Sequence, residues 1–191
     1  MNTYRIRRVE ASDSLDELTA MIHRAFGPLG RMGLACASVD QSVEATTRRM
    51  RRGECLVALD GDRIVGTATL EAPDRGAAFE WYRRPGVASL HQFAVDPRDQ
   101  GRGCGKALLA EAGRLVRRNG WHELALDTPA DASHLLRYYQ DQGFRVVGHM
   151  QHTRRRYRSA ILSKTVARPT PTLGMWHSPH RTGWLGSLAG H

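Results

Sequence analysis

The chain has 191 residues, of which 41% are hydrophobic and 25% charged, with a formal net charge of +9. That composition describes one ordinary domain with enough apolar residues for a core; it excludes a disordered chain, and no stretch approaches the length of a membrane span. Residues 1–13 carry basic groups with no apolar run behind them, so the expectation is a cytoplasmic protein without a signal peptide.

The charge alone selects no partner, since nucleic acid, an anionic membrane surface and an anionic cofactor would all suit it. All but two of the 28 basic residues are arginines, the exceptions being Lys106 and Lys164. They are scattered in short runs such as Arg48-Arg49 and Arg154-Arg155-Arg156 without interleaved aromatics, which argues against nucleic acid as a partner. Cys36, Cys55 and Cys104 are odd in number and widely spaced, and read as free thiols.

In chain order, residues 4–9 alternate as a strand. Ser14 then caps a helix whose apolar positions Leu15, Leu18, Met21, Ile22 and Phe26 keep helical spacing until Gly27-Pro28 stops it. A second helix is predicted over 39–52, closed by Gly53. Strands over 54–59 and 63–70 follow, joined through Asp60-Gly61-Asp62 as a hairpin. A strand over 88–95 runs into a glycine-rich turn. From about Gly105 a helix buries Leu108, Leu109, Ala112, Leu115 and Val116, and Arg117, Arg118 and Gly120 close it. A strand over 123–127, a helix over 132–142 stopped by Gly143, and strands over 144–149 and 157–165 complete the order β-α-α-β-β-β-α-β-α-β-β. Hairpins first and crossovers later imply an α/β architecture, a central mixed sheet with helices on both faces.

The strand–turn–helix junction at 90–109 carries the chemistry. Gly101, Gly103 and Gly105 remove side chains where backbone N–H groups crowd together, and the following helix points its positive dipole end at the same place. A diphosphate suits that junction. A Walker loop would need glycine at 100 and a hydroxyl at 107, where Gln100 and Ala107 stand; a dinucleotide fingerprint would need glycine at 106 or 108, where Lys106 and Leu108 stand.

The remaining pattern, Gln100-x-x-Gly103-x-Gly105 after Val95-Asp96-Pro97, resembles the pyrophosphate loop of the GNAT superfamily, the acyl-CoA-dependent N-acyltransferases. Tyr139-x-x-x-Gly143-Phe144 resembles a second element of that family, and the order of elements is similar over about 3–166. The resemblance implies a GNAT-like fold and transfer of acetyl from acetyl-CoA (coenzyme A) to a primary amine by direct attack. It places the pantetheine arm along Phe93, Ala94 and Val95, with β-augmentation geometry. It places the diphosphate on Gln100, Gly101, Arg102, Gly103, Cys104, Gly105 and Lys106, with Tyr139 as general acid.

Read alone, Tyr138 or Tyr139 is a packing tyrosine at a helix–sheet junction, and Cys104 a small filler. Attack on a thioester nevertheless asks for donors at the carbonyl oxygen and an acid near the sulfur, which a phenol supplies.

The acceptor amine, only about 0.1% neutral near pH 7, needs a base. Where many relatives carry a glutamate on the strand, this chain has His91-Gln92, so His91 is the candidate base, with Glu80 next and a structural histidine as the alternative. Ala132 stands where many relatives carry an asparagine that binds the pantetheine arm. No metal is expected: His149 and His152 fall on opposite faces of a strand, with no carboxylate or cysteine to complete a set.

One domain follows, residues 1–166, with a Pro/Gly-rich C-terminal extension over 167–191. The extension is read either as a flexible end or as a segment docking Trp176 and Trp184 on the body or on a second subunit, in a homodimer. Two other functions stay open here, a toxin-like acetyltransferase of aminoacyl-tRNA and a silent acyl-CoA-binding regulatory module.

Overall fold

The computed structural model describes residues 4–34, 36–151 and 156–166. A seven-stranded sheet runs through it in the order β1-β2-β3-β4-β5-β7-β6. The strands are β1 Arg5–Arg8, β2 Glu54–Asp60, β3 Arg63–Glu71, β4 Val87–Val95, β5 Glu123–Pro129, β6 Arg145–Gln151 and β7 Arg158–Thr165. All neighbours are antiparallel except β4 and β5, whose parallel pairing requires a crossover through a helix. That helix is α4, Cys104–Arg118; the others are α1 Leu15–Arg31, α2 Val43–Met50, α3 Glu80–Arg83 and α5 Ser133–Asp141. The expected order is present, with α3 as an addition.

Helices cover both faces. Leu108, Leu115 and Val116 of α4 are fully buried against Ala68 and Leu70 of β3 and Leu90 of β4, each large apolar side chain contributing about 1.5–3 kcal/mol. Leu18, Met21 and Ile22 of α1 bury against Cys55 and Val57 of β2 and Ala94 of β4 on the other face. The residues of α3 share that second face, where Tyr82 packs on Val87, Ala125 and Ile161. Among the described residues no helix is long and apolar enough to cross a membrane.

Two helix boundaries and one added helix differ most from the sequence expectation. Gly27-Pro28 does not end α1, which continues to Arg31, because packing of Leu29 against Leu34, Ala132 and Tyr157 outweighs the hydrogen bond that proline forfeits. The second helix is shorter than 39–52: it begins at Val43, where Ser42 accepts from the Ala45 N–H, and residues 37–40 form turns. The short α3 lacks the length that makes a helical period visible. The 167–191 extension, with Trp176 and Trp184, and His152 lie outside the described residues.

Candidate active site

The parallel pairing of β4 with β5 spans only Val87↔Glu123, Ala88↔Leu124 and Ser89↔Ala125. Beyond Ser89 the two strands part, and the β4 edge from Leu90 to Val95 is left without a strand on that side. Asp96 N–H donates to Val65 O on β3 at 2.8 Å, so by the alternation of strand amides Val95 turns its N–H and C=O the other way, into the opening. The Val95 carbonyl accepts from Gln100 Nε2 at 3.1 Å, which leaves the N–H as the donor facing the gap. An extended amide-bearing chain fits such an edge.

The turn at the end of β4 is held from below by two fully buried carboxylates. Asp96 accepts from Arg24 of α1 and from Arg98, and its side chain also caps the Arg98 N–H at 3.1 Å. Arg98 first, with Arg24 behind it, holds the Asp96 carboxyl well below the usual carboxylate range against the opposing effect of burial. Asp99 accepts from Arg63 of β3 at 2.8 Å and lies 3.5 Å from Arg102. Four arginines thus neutralise the two acids beneath the glycine turn.

Gly101 and Gly103 are exposed above that base with φ of +72° and +91°, a left-handed region that glycine enters without steric cost. Gly103 is the N-cap of α4, so the first amides of the helix face outward with no side chain over them. Arg102 and Lys106 are exposed beside it. Gly105 has a different reason: a Cβ there would lie 2.5 Å from the Tyr138 hydroxyl and 3.3 Å from Phe93. Cys104 is buried, and burial followed by the charge of Asp99 pushes its thiol up to about 12, which makes it an inert filler despite the helix dipole. The residues present fit a CoA diphosphate and arm: unpaired edge, amide-rich turn, cationic rim.

An aromatic wall closes the opening on the α4 side. Phe93 packs on Tyr138 and Tyr139 at 6.5 and 6.1 Å between ring centroids, and Tyr139 on Phe144 at 5.8 Å. Burial, then the neighbouring Tyr138 and Asp127, raises the Tyr139 phenol, so it stays protonated at neutral pH and can donate. Tyr138 is pushed up to about 12, mainly by burial, and its hydroxyl has no hydrogen-bond partner among the described residues.

The opposite face carries His91. Its Nε2 lies 2.9 Å from Ser89 Oγ and 3.8 Å from Glu71 Oε2, with the Tyr82 ring 6.5 Å away. The register Thr69↔His91 and Glu71↔Ser89 puts all three on one face. Glu80, the other sequence candidate, is exposed at the start of α3 and is not the carboxylate that meets His91. Glu71 was passed over because its partner is set by strand pairing across 20 residues, which no local pattern shows. Arg24 was missed for the same reason, and Asp127 because its proximity to Tyr139 depends on the packing of α5. Ala132 is buried against Leu29, Leu34 and Tyr157 and gives α5 no side-chain cap.

The site is an open strand edge where the β4–β5 pairing ends. The concavities of about 260 Å³ between α4, Phe144 and Lys164, and about 490 Å³ beside α2, lie elsewhere.

Residues 21–144 match the Acetyltransferase (GNAT) family. The chain belongs to that family. It is an N-acetyltransferase that uses acetyl-CoA as acyl donor. The S-(2-succino)cysteine N-acetyltransferase of Bacillus subtilis is 27% identical over 146 residues, 74% of this chain and 82% of that protein. The ribosomal-protein-S18-alanine N-acetyltransferase of Escherichia coli shares the fold with a TM-score of 0.66 at 19% identity, over 90% of this chain and 99% of the other. The PaiA N-acetyltransferase of Thermoplasma acidophilum, solved with coenzyme A, does so with a TM-score of 0.67 at 18% identity, over 85% and 99%. GNAT membership accords with the loop and tyrosine motifs.

Proposed function

We propose that this GNAT enzyme acetylates the α-amine of a small amino-acid-like acceptor by direct attack, with Tyr139 as proton donor and His91 as base. The observation that carries the site assignment is the parting of β4 from β5 beyond Ser89, which opens the sheet between a face bearing His91 and a face bearing Tyr139.

Acetyl-CoA supplies the acetyl group as a thioester, activated toward amines. The Val95 N–H, pointing into the opening, stabilises negative charge on the carbonyl oxygen. His91 takes a proton from the amine as its nitrogen bonds to the acetyl carbon. Tyr139 gives a proton to the sulfur as the carbon–sulfur bond breaks, so charge and protons balance. Ser89 holds the imidazole through Nε2, and the Glu71 carboxylate lies 3.8 Å from the same nitrogen.

A compact acceptor is supported by α3 and the segment before it, which lie on the acceptor face and are tied to the sheet by Trp81 Nε1 donating to Glu123 at 3.0 Å. The amino-acid class is supported by the likeness to the S-(2-succino)cysteine enzyme. The test is CoA release from acetyl-CoA across a panel of S-(2-succino)cysteine, cysteine, other free amino acids, polyamines and an alanine-first peptide, with mass spectrometry of the products. Turnover is expected on free amino acids, highest with those bearing extra carboxylates. Turnover confined to peptides or to protein lysines overturns the acceptor assignment.

A further inference from the structure

At Gln92, β4 has left both of its neighbours. Pairing with β5 has ended at Ser89, and the register with β3 slips: Thr69↔His91 and Thr67↔Ala94 leave the single Ala68 opposite both Gln92 and Phe93. In such a bulge the two residues share the side of the one they oppose. Ala68 belongs to the core under α4 and α5, and Phe93 packs there on Tyr138 and Tyr139. His91 and Ala94 have the other parity and face Tyr82 and α1. Gln92 is therefore on the aromatic side of the opening.

Its state is costly on two counts. With φ of +48° it is the one non-glycine residue at positive φ among the described residues, a conformation that L side chains resist. The residue is only 8% exposed, and neither Oε1 nor Nε2 has a hydrogen-bond partner among the described residues. Glycine would suit the backbone and leucine the burial; glutamine suits neither unless something else enters.

We infer that the Gln92 carboxamide is a cofactor-positioning group that hydrogen-bonds an amide of the pantetheine arm of CoA. The inference rests on the reading of the β4–β5 opening as the acyl-CoA channel. A carboxamide whose donor nitrogen and acceptor oxygen are both unpaired is matched by a secondary amide, which presents one N–H and one C=O. A phosphate or carboxylate would engage Nε2 and set Oε1 against an anion; an ammonium would engage Oε1 alone. Ala132, buried at the N-cap of α5, offers the arm no polar side chain of its own.

Calorimetric titration of wild type, Gln92→Leu and Gln92→Gly with CoA, and with adenosine 3′,5′-bisphosphate, which keeps the nucleoside and phosphates but lacks the arm, tests this. Both variants are expected to lose roughly tenfold in CoA affinity, with bisphosphate affinity changed by less than about twofold. Unchanged CoA affinity in Gln92→Gly, or an equal loss for both ligands, overturns the role. A purely structural glutamine would show a lower melting temperature with CoA affinity intact, which also overturns it. Should Gln92→Leu not fold, the glycine variant decides alone, its backbone being suited to that φ. Wild type that binds no CoA would bring down the channel reading itself, whereas equal CoA binding by wild type and variants brings down only this one.

Discussion

The Arg24 guanidinium of α1 donates through Nε and Nη2 to Asp96 Oδ2 at 2.9 and 2.8 Å, joining the helix on the His91 face of the sheet to the turn proposed to hold the cofactor phosphates. Asp96 is fully buried while Arg24 and Arg98 are partly exposed, so the acid depends on its partners more than they depend on it. Asp96→Asn is expected to cost about 1–3 kcal/mol in chemical denaturation and to weaken CoA, because the turn loses its anchor. Arg24→Ala should cost less, since Arg98 remains.

Acid should expose the same link. Asp96 has its carboxyl depressed in the folded state, as do Asp13 beside Arg7 and Glu123, where hydrogen bonds from Ser163 and Arg145 outweigh burial. Below about pH 4 the unfolded chain binds more protons than the folded one, so this stability is complete above the unfolded pKa and is lost as pH falls through the lower folded values. The melting temperature is expected to hold to about pH 5 and fall below about pH 4, and Asp96→Asn should flatten that fall.

Gly105→Ala sets helix propensity against packing. Alanine favours the helix by about 1 kcal/mol, yet its Cβ would lie 2.5 Å from the Tyr138 hydroxyl, while the ring carbon behind is at 3.5 Å. Gly105→Ala is therefore expected to lower the melting temperature and CoA affinity, and adding Tyr138→Phe should restore both. Tyr138→Phe alone should leave stability unchanged or raise it, since the hydroxyl it removes is buried and unpartnered.

Tyr139→Phe should reduce kcat by about 10²-fold with little change in CoA affinity measured by titration. The raised phenol stays protonated, so the loss should be the same from about pH 6 to pH 9. A loss shared by Tyr138→Phe would move the acid away from Tyr139.

His91→Ala should lower kcat on whichever amine turns over, with free imidazole restoring part of it. Glu71→Gln should lower kcat by about tenfold at unchanged acetyl-CoA KM, and Glu71→Asp should recover most of it. An effect on KM alone would make the pair an acceptor-binding group.

The glycine loop was readable because anion binding by successive amides is a local property: Gly101, Gly103 and Gly105 follow one another in sequence and need only the strand before and the helix after. Helices α1 and α4 and the strands were readable through their periodicity and caps. The stop at Gly27-Pro28 was misread because a local helix breaker was overruled by contacts with Leu34, Ala132 and Tyr157, none of them neighbours in a periodic pattern.

Sequence by itself therefore determined the family, and the glycine loop and tyrosine element proposed to serve the cofactor are short-range patterns in which spacing dictates geometry. Tertiary structure decided which groups meet: Glu71 with His91 through strand register, Arg24 with Asp96 across the sheet, and the orphaned Gln92 at a bulge. Pairing between distant segments depends on how whole surfaces bury one another, and no single stretch of letters carries that information.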